Sequence, residues 1–168
     1  MTPSRVDARL LDTVVEAARK SARLRMNHNL HVMEDAIHRL LNAMEPGSYV
    51  QPHRHWSAPR TETLACIRGR GAVLVFDDGG AVTSRFVLAP AGPDFVCELP
   101  PGTWHSLLAL ETGTVFFEVK AGPYVAPVAA DVASWAPAPN DARAAGYLEV
   151  MRKAALRSPR PRRRSTTP

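Results

Sequence analysis

No segment of this 168-residue chain holds the roughly 20 consecutive apolar residues that a membrane helix needs. The first residues, MTPSRVDARLLDTVVEAARK, lack a basic start, a continuous apolar stretch and a small-residue cleavage site, so no signal peptide is expected. Cysteine is scarce. Cys66 and Cys97 have neither metal-clip nor redox spacing and form no disulfide framework, which makes a reducing cytoplasm the expected compartment. No internal repeat and no DNA-reading helix-turn-helix pattern is present. Acid is absent from RSPRPRRRSTTP (157–168), which carries five of the 21 basic residues. Without those five, 16 basic residues face 16 acidic ones, so the body is formally neutral and the net charge of +5 resides in the tail. A proline- and arginine-rich polar tail cannot bury a core and is expected to be disordered. It is open to nonspecific nucleic-acid contacts at most, and a solvated terminus is the simpler reading.

What remains is an ordinary soluble composition, 45% hydrophobic and 22% charged, at a length that suits one domain. Val6, Leu10, Val14 and Ala18, beside Leu11 and Val15, have helical spacing and predict an amphipathic helix over 5–20. RLRMNHNLH (23–31) alternates like a strand, and EDAIHRLLNAM (34–44) reads as a short helix stopped by Pro46-Gly47. From there to about residue 125, short β-rich segments alternate with turn signals: 49–55, 62–68, 72–76, 82–87, 95–99, 106–110 and 114–120. Many short strands at this spacing predict a sandwich or barrel, and DDGG (77–80) a hairpin turn. A Pro/Ala-rich connector (126–139) leads to a final helix over about 141–156. The expected organisation is therefore a helical and extended segment (1–45) packed on a β-barrel (46–125), then a connector and helix (126–156), then the tail (157–168).

Two of the six histidines sit one residue apart in PHRHWSAPRTE (52–62). On a strand His53 and His55 share a face about 6–7 Å apart, close enough for two imidazoles to converge on one ion. Glu62 opens the next segment on the same face as Leu64 and Cys66, and His105 follows the turn in PPGTWH (100–105). Three imidazoles and a carboxylate form a mixed N/O donor set, suited to Fe²⁺, Mn²⁺, Ni²⁺, Co²⁺ or Zn²⁺ more than to Mg²⁺ or Ca²⁺. A lone His-x-His is as often two surface histidines. Four polar groups facing a small barrel interior would be costly without an ion or hydrogen bonds.

These residues resemble the two cupin motifs: Gly47, His53, His55, Glu62 and Gly69 in the first, and Pro100-Pro101-Gly102-Thr103-Trp104-His105 in the second. Six residues separate His55 from Glu62, where about three or four are usual, and position 109 is Ala where the motif has Asn. RLRMNHNLH, RLLNAMEPGSYVQPHRH, FDDGG, TWHSL, FFEVKAGPY and WAP together are similar to the WbuC family of cupin-fold metalloproteins over about residues 20–150. That resemblance implies a mainly β protein, a single cupin-type jelly-roll barrel with flanking N- and C-terminal α-helices. It implies one divalent transition-metal ion held by His53, His55, Glu62 and His105, and an association with O-antigen and surface-polysaccharide synthesis. It does not imply a settled reaction.

Other residues have two readings each. Asn29 and His31 either contact substrate or cap the following helix. Glu118 is a general base if it faces inward beside Phe116, and surface charge otherwise; with His31 it is the candidate proton mover. Tyr49 and Trp104 are either packing residues or the rim of a substrate site. Arg54 alternates away from its histidine neighbours, and Cys66 reads as a buried inert thiol. The expected function is a metal-dependent enzyme on a small polar metabolite, a sugar or nucleotide sugar, with isomerase or epimerase and oxygenase chemistry both open. The alternative is a non-catalytic small-molecule sensor. A homodimer is expected.

Overall fold

The computed structural model describes residues 5–157, so residues 158–168 of the Arg-rich tail lie outside the described residues. Helix α1 (Ala8–Lys20) starts where the Asp7 carboxylate accepts from Leu10 N (3.0 Å), a side-chain N-cap, and carries Arg19 and Lys20 in its last turn, where the helix dipole favours cations. Eight strands follow: β1 (Arg25–Asn29), β2 (Ile37–Met44), β3 (Glu62–Arg68), β4 (Gly71–Phe76), β5 (Val82–Leu88), β6 (Val96–Leu99), β7 (Trp104–Ala109) and β8 (Thr114–Ala121), then helix α2 (Ala144–Leu156). Among the described residues, no helix is long and apolar enough to cross a membrane.

One antiparallel sheet has the order β1-β2-β8-β3-β6 and the other β5-β4-β7. Residues 49–55 run along β7 without forming a regular strand. His53 N donates to the His105 carbonyl (3.0 Å), His105 N returns the bond to His53 (2.8 Å), and Ser106 Oγ holds the Val50 carbonyl (2.7 Å). With that segment counted beside β7, the chain leaves one sheet for the other at nearly every connection, which is the winding of a jelly roll. The protein is thus mainly β, a jelly-roll barrel with a helix on each outer face.

Period-two alternation sorts side chains between the interior and the two helices. Leu64, Cys66, Val73, Leu88, Leu107 and Phe116 fill the space between the sheets. Leu41, Ala43 and Val115 turn outward to meet Val14, Val15 and Ala18 of α1, and Ala72, Leu74, Leu108 and Leu110 meet Ala144, Leu148, Met151 and Ala155 of α2. Each fully buried side chain of this size is worth about 1.5–3 kcal/mol, so the barrel has a core of its own.

The helix expected over 34–44 is instead strand β2. It pairs with β1 on one side and β8 on the other, and its last five residues are all buried, because α1 covers one face and the barrel interior the other. The barrel therefore begins before residue 46. β7 begins at Trp104 rather than Ser106, so His105 lies within the strand, and α2 starts at Ala144 rather than near 141.

Candidate metal centre

Backbone geometry brings the histidines together. Gly102, at φ +75°, makes the turn before β7, and its N–H holds the His55 carbonyl (3.0 Å). His105 is the first inward position of β7, His53 is its cross-strand partner, and Glu62 is the first inward position of β3. One ligand nitrogen from each of His53, His55 and His105 lies within 4.8 Å of the others. The His53 and His55 ring centres are 5.6 Å apart, and those of His53 and His105 4.4 Å.

The ring orientations are set from behind. His53 Nδ1 faces the Gln51 carbonyl (3.1 Å) and His105 Nδ1 the Thr103 carbonyl (2.9 Å), which makes Nδ1 the N–H and leaves Nε2 as a bare lone pair. Glu62 Oε2 sits 2.9 Å from His105 Nε2 and 3.6 Å from His55 Nε2. Yet these three buried atoms have no hydrogen-bond partner, and between His105 and Glu62 lone pair faces lone pair. Two donors each about 2.1 Å from a shared ion lie roughly 3.0–3.4 Å apart, so the spacing suits a cation better than it suits the bare groups. The donor set, three imidazoles with a carboxylate alongside, fits a divalent transition metal. Burial, with His105 and His55 adding, pushes the His53 imidazole down to about 3, so it is neutral and ready to ligate. Burial opposes ionisation of Glu62, while the Lys120 ammonium on its other oxygen favours the carboxylate.

Behind Glu62 lies a second charged layer. Phe116, Glu118 and Lys120 share the inward face of β8, which resolves the phase of Glu118: it is 5% exposed and faces in. Lys120 Nζ bonds Glu62 Oε1 (2.9 Å) and Glu118 Oε1. One cation serves two carboxylates, and burial, with the Glu62 charge adding, pushes Glu118 up to about 8.

A cleft of about 200 Å³ opens onto this centre, lined by His53, His55, Arg54, Arg60, Lys120 and Tyr124 among others. Sequence reasoning missed Lys120 and Arg60. Lys120 was readable as the position two beyond Glu118 on the same face. Arg60 lies in an irregular loop, where no periodicity tells direction. Of the other candidates, Glu118 stands behind Lys120 rather than on the cleft wall. Asn29 and His31 line an adjoining pocket that shares only Lys120 and Tyr124 with the cleft. His31 stacks on His38 (4.0 Å), with its Nδ1 against the backbone of Arg39, and the helix it would have capped is absent. Tyr49 lies on the α2 side, its hydroxyl donating to the Pro137 carbonyl (2.8 Å) and its ring against Tyr147. Trp104 turns away from His105, donates to Asp78 (3.0 Å) and supports the Arg54 guanidinium at 4.3 Å. Cys66 is buried and its thiol is raised by burial, as an inert cysteine should be.

No curated protein matches the chain. A family model described as a domain of unknown function (DUF6016) matches residues 6–88. Among solved structures, the oxalate decarboxylase of Lactobacillus farciminis in its formate complex is 19% identical, with a TM-score of 0.47 over 61% of this chain and 29% of that one. KdgF from Halomonas sp. is 14% identical, with a TM-score of 0.48 over 63% of this chain and 85% of that one. The Cnp3 cupin domain of Schizosaccharomyces pombe is 16% identical, with a TM-score of 0.42 over 56% and 62%. The chain thus spans under a third of the oxalate decarboxylase it matches.

Proposed function

We propose that this protein is a divalent-transition-metal enzyme acting on a small polar metabolite, with His53, His55, His105 and Glu62 as the ligands of one ion per chain. The observation that carries this reading is the meeting of buried, unpartnered polar atoms from His55, Glu62 and His105 beside an accessible cleft. Burying unpaired polar atoms costs about 1–3 kcal/mol each, a cost that a bound cation offsets. When bound, such an ion polarises a carbonyl or hydroxyl oxygen as a Lewis acid. Burial opposes the charge of Lys120, but Glu118 and Glu62 hold it as an ammonium above its ordinary value, so it offers the cleft a positive charge and a hydrogen-bond donor. The cleft is smaller than the ~300–1,000 Å³ that encloses drug-sized ligands, so it suits a single sugar ring, with any nucleotide portion lying outside.

The similarity of the segments within residues 20–150 to the WbuC family supports a sugar or nucleotide sugar of surface-polysaccharide synthesis as substrate; two cysteines without disulfide spacing favour a reducing cytoplasm, and a homodimer is the working form that would cover the exposed sheet edges. Isomerase or epimerase chemistry needs only a Lewis acid and a proton mover; oxygenase chemistry needs redox-active iron in addition. The test is metal analysis of the native protein, followed by product detection over a panel of free and nucleotide-linked sugars. Conversion of one panel member is the expected result. A metal-loaded protein that binds one tightly and never converts it would replace the enzyme reading with a sensor.

A further inference from the structure

The His55–Glu62 loop is longer than the motif it resembles, and the extra length carries Arg60. This residue is only 9% exposed, yet among the described residues no carboxylate pairs with it. Its Nε donates to the Ala58 carbonyl (3.1 Å) and its Nη1 to the Ala121 carbonyl (3.3 Å), one residue beyond Lys120. A guanidinium has five N–H donors, so most remain for the cleft that Arg60 lines. Burying an unpaired cation is expensive, and the arrangement makes sense when a ligand supplies the counter-charge.

The neighbouring charges do not supply it. Asp131, which also lines the cleft, accepts at Oδ1 from Trp56 N, Ser57 N and Ser57 Oγ of the same loop and forms no ion pair with Arg60 or Arg54. Lys120 is matched by Glu62 and Glu118. Arg54, also on the cleft, is held by its stack on Trp104 and by the Ala130 carbonyl (3.3 Å), and its nearest carboxylate, Asp78, is 3.8 Å away with its side chain 92% exposed. The cleft therefore has two positive groups without a committed partner, beside a metal-ligand cluster.

We infer that Arg60, aided by Arg54, is an oxyanion subsite, so that the metabolite carries a carboxylate or phosphate group clamped by the Arg60 fork. This rests on the reading of the cleft as a substrate site. Planar guanidinium matches both oxyanions through paired N–H donors, and a lysine does not.

The experiment is calorimetric titration of metal-loaded full-length protein with glucose 1-phosphate, glucuronate and neutral glucose, repeated on Arg60→Gln and Arg60→Lys, with metal content and melting temperature measured on each. At least one anionic probe should bind about 10-fold or more tighter than glucose, and Arg60→Gln should weaken it about 10- to 100-fold while metal content stays unchanged. Arg60→Lys should fall between. Preference for glucose 1-phosphate assigns a phosphate and preference for glucuronate a carboxylate. Equal binding of all three probes, binding of none, or an unchanged anion affinity in folded Arg60→Gln would overturn the inference. A wild-type protein that binds no metal but still binds anions through Arg60 would sink the metal reading and leave this one standing.

Discussion

Glu45 and Glu62 are both buried carboxylates, 8% and 2% exposed, at opposite ends of the same barrel, and their surroundings differ in kind. Glu45, just past the end of β2, accepts from Arg19 Nε (3.0 Å), Gly113 N (3.0 Å) and Thr112 Oγ1 (2.5 Å), so that it pins α1 to the β8 turn. Glu62, at the start of β3, has Lys120 on one oxygen and facing imidazole lone pairs on the other. The first is a completed structural joint. The second leaves one carboxylate oxygen without a hydrogen-bond partner among the described residues. The strands repeat the contrast along their length: Glu62 gives way to Leu64 and Cys66, His105 to Leu107 and Ala109, Lys120 and Glu118 to Phe116. One end of the interior is chemistry, the other packing, and the same strands build both.

The largest expected effect comes from breaking the packed end. Phe116→Ala should cost about 3–5 kcal/mol, lowering the melting temperature by about 6–20 °C, while the folded fraction keeps its metal stoichiometry. Parallel loss of the ion in folded Phe116→Ala would show that the two ends are not separable.

Glu45→Gln should cost less, about 1–3 kcal/mol in urea unfolding, as hydrogen bonds to a charged acceptor weaken. Burial opposes ionisation of Glu45, yet Thr112, Arg19 and Gly113 hold its carboxyl below its ordinary value. A depressed folded-state pKa contributes stability that is present above the unfolded value of about 4.3 and is lost as pH falls through the folded one. The difference between Glu45→Gln and wild type should accordingly shrink in acid; a difference that widens there would contradict the geometry.

Glu62→Gln should behave oppositely. Its amide can donate to the imidazole lone pairs, so metal-free stability should change by less than about 1 kcal/mol while the ion is lost. A loss as large as that of Glu45→Gln would mean that Glu62 is structural. The smallest expected stability change is in His55→Ala, whose side chain is 20% exposed. Elemental analysis should find the ion gone from a protein whose metal-free melting temperature is nearly unmoved, and full occupancy would remove His55 from the ligand set.

Local pattern was enough to read the histidine cluster: alternation places Glu62 on one face with Leu64 and Cys66, and His53 and His55 converge although residues 49–55 form no regular strand. It was enough for α1, whose apolar stripe and cap are contained in its own residues, and for the strand-and-turn rhythm of 62–121. It misread 34–44, since helical preferences of a few tenths of a kcal/mol per residue yield to pairing with β1 and β8 and to burial on both faces. Direction in loops and membership of a cleft depend on partners far along the chain. Only the folded structure therefore decided that Tyr49 lies under α2, that Glu118 reaches the cleft through Lys120, that Asn29 and His31 belong to a neighbouring pocket, and that Arg60 stands beside the histidine cluster with no carboxylate partner among the described residues.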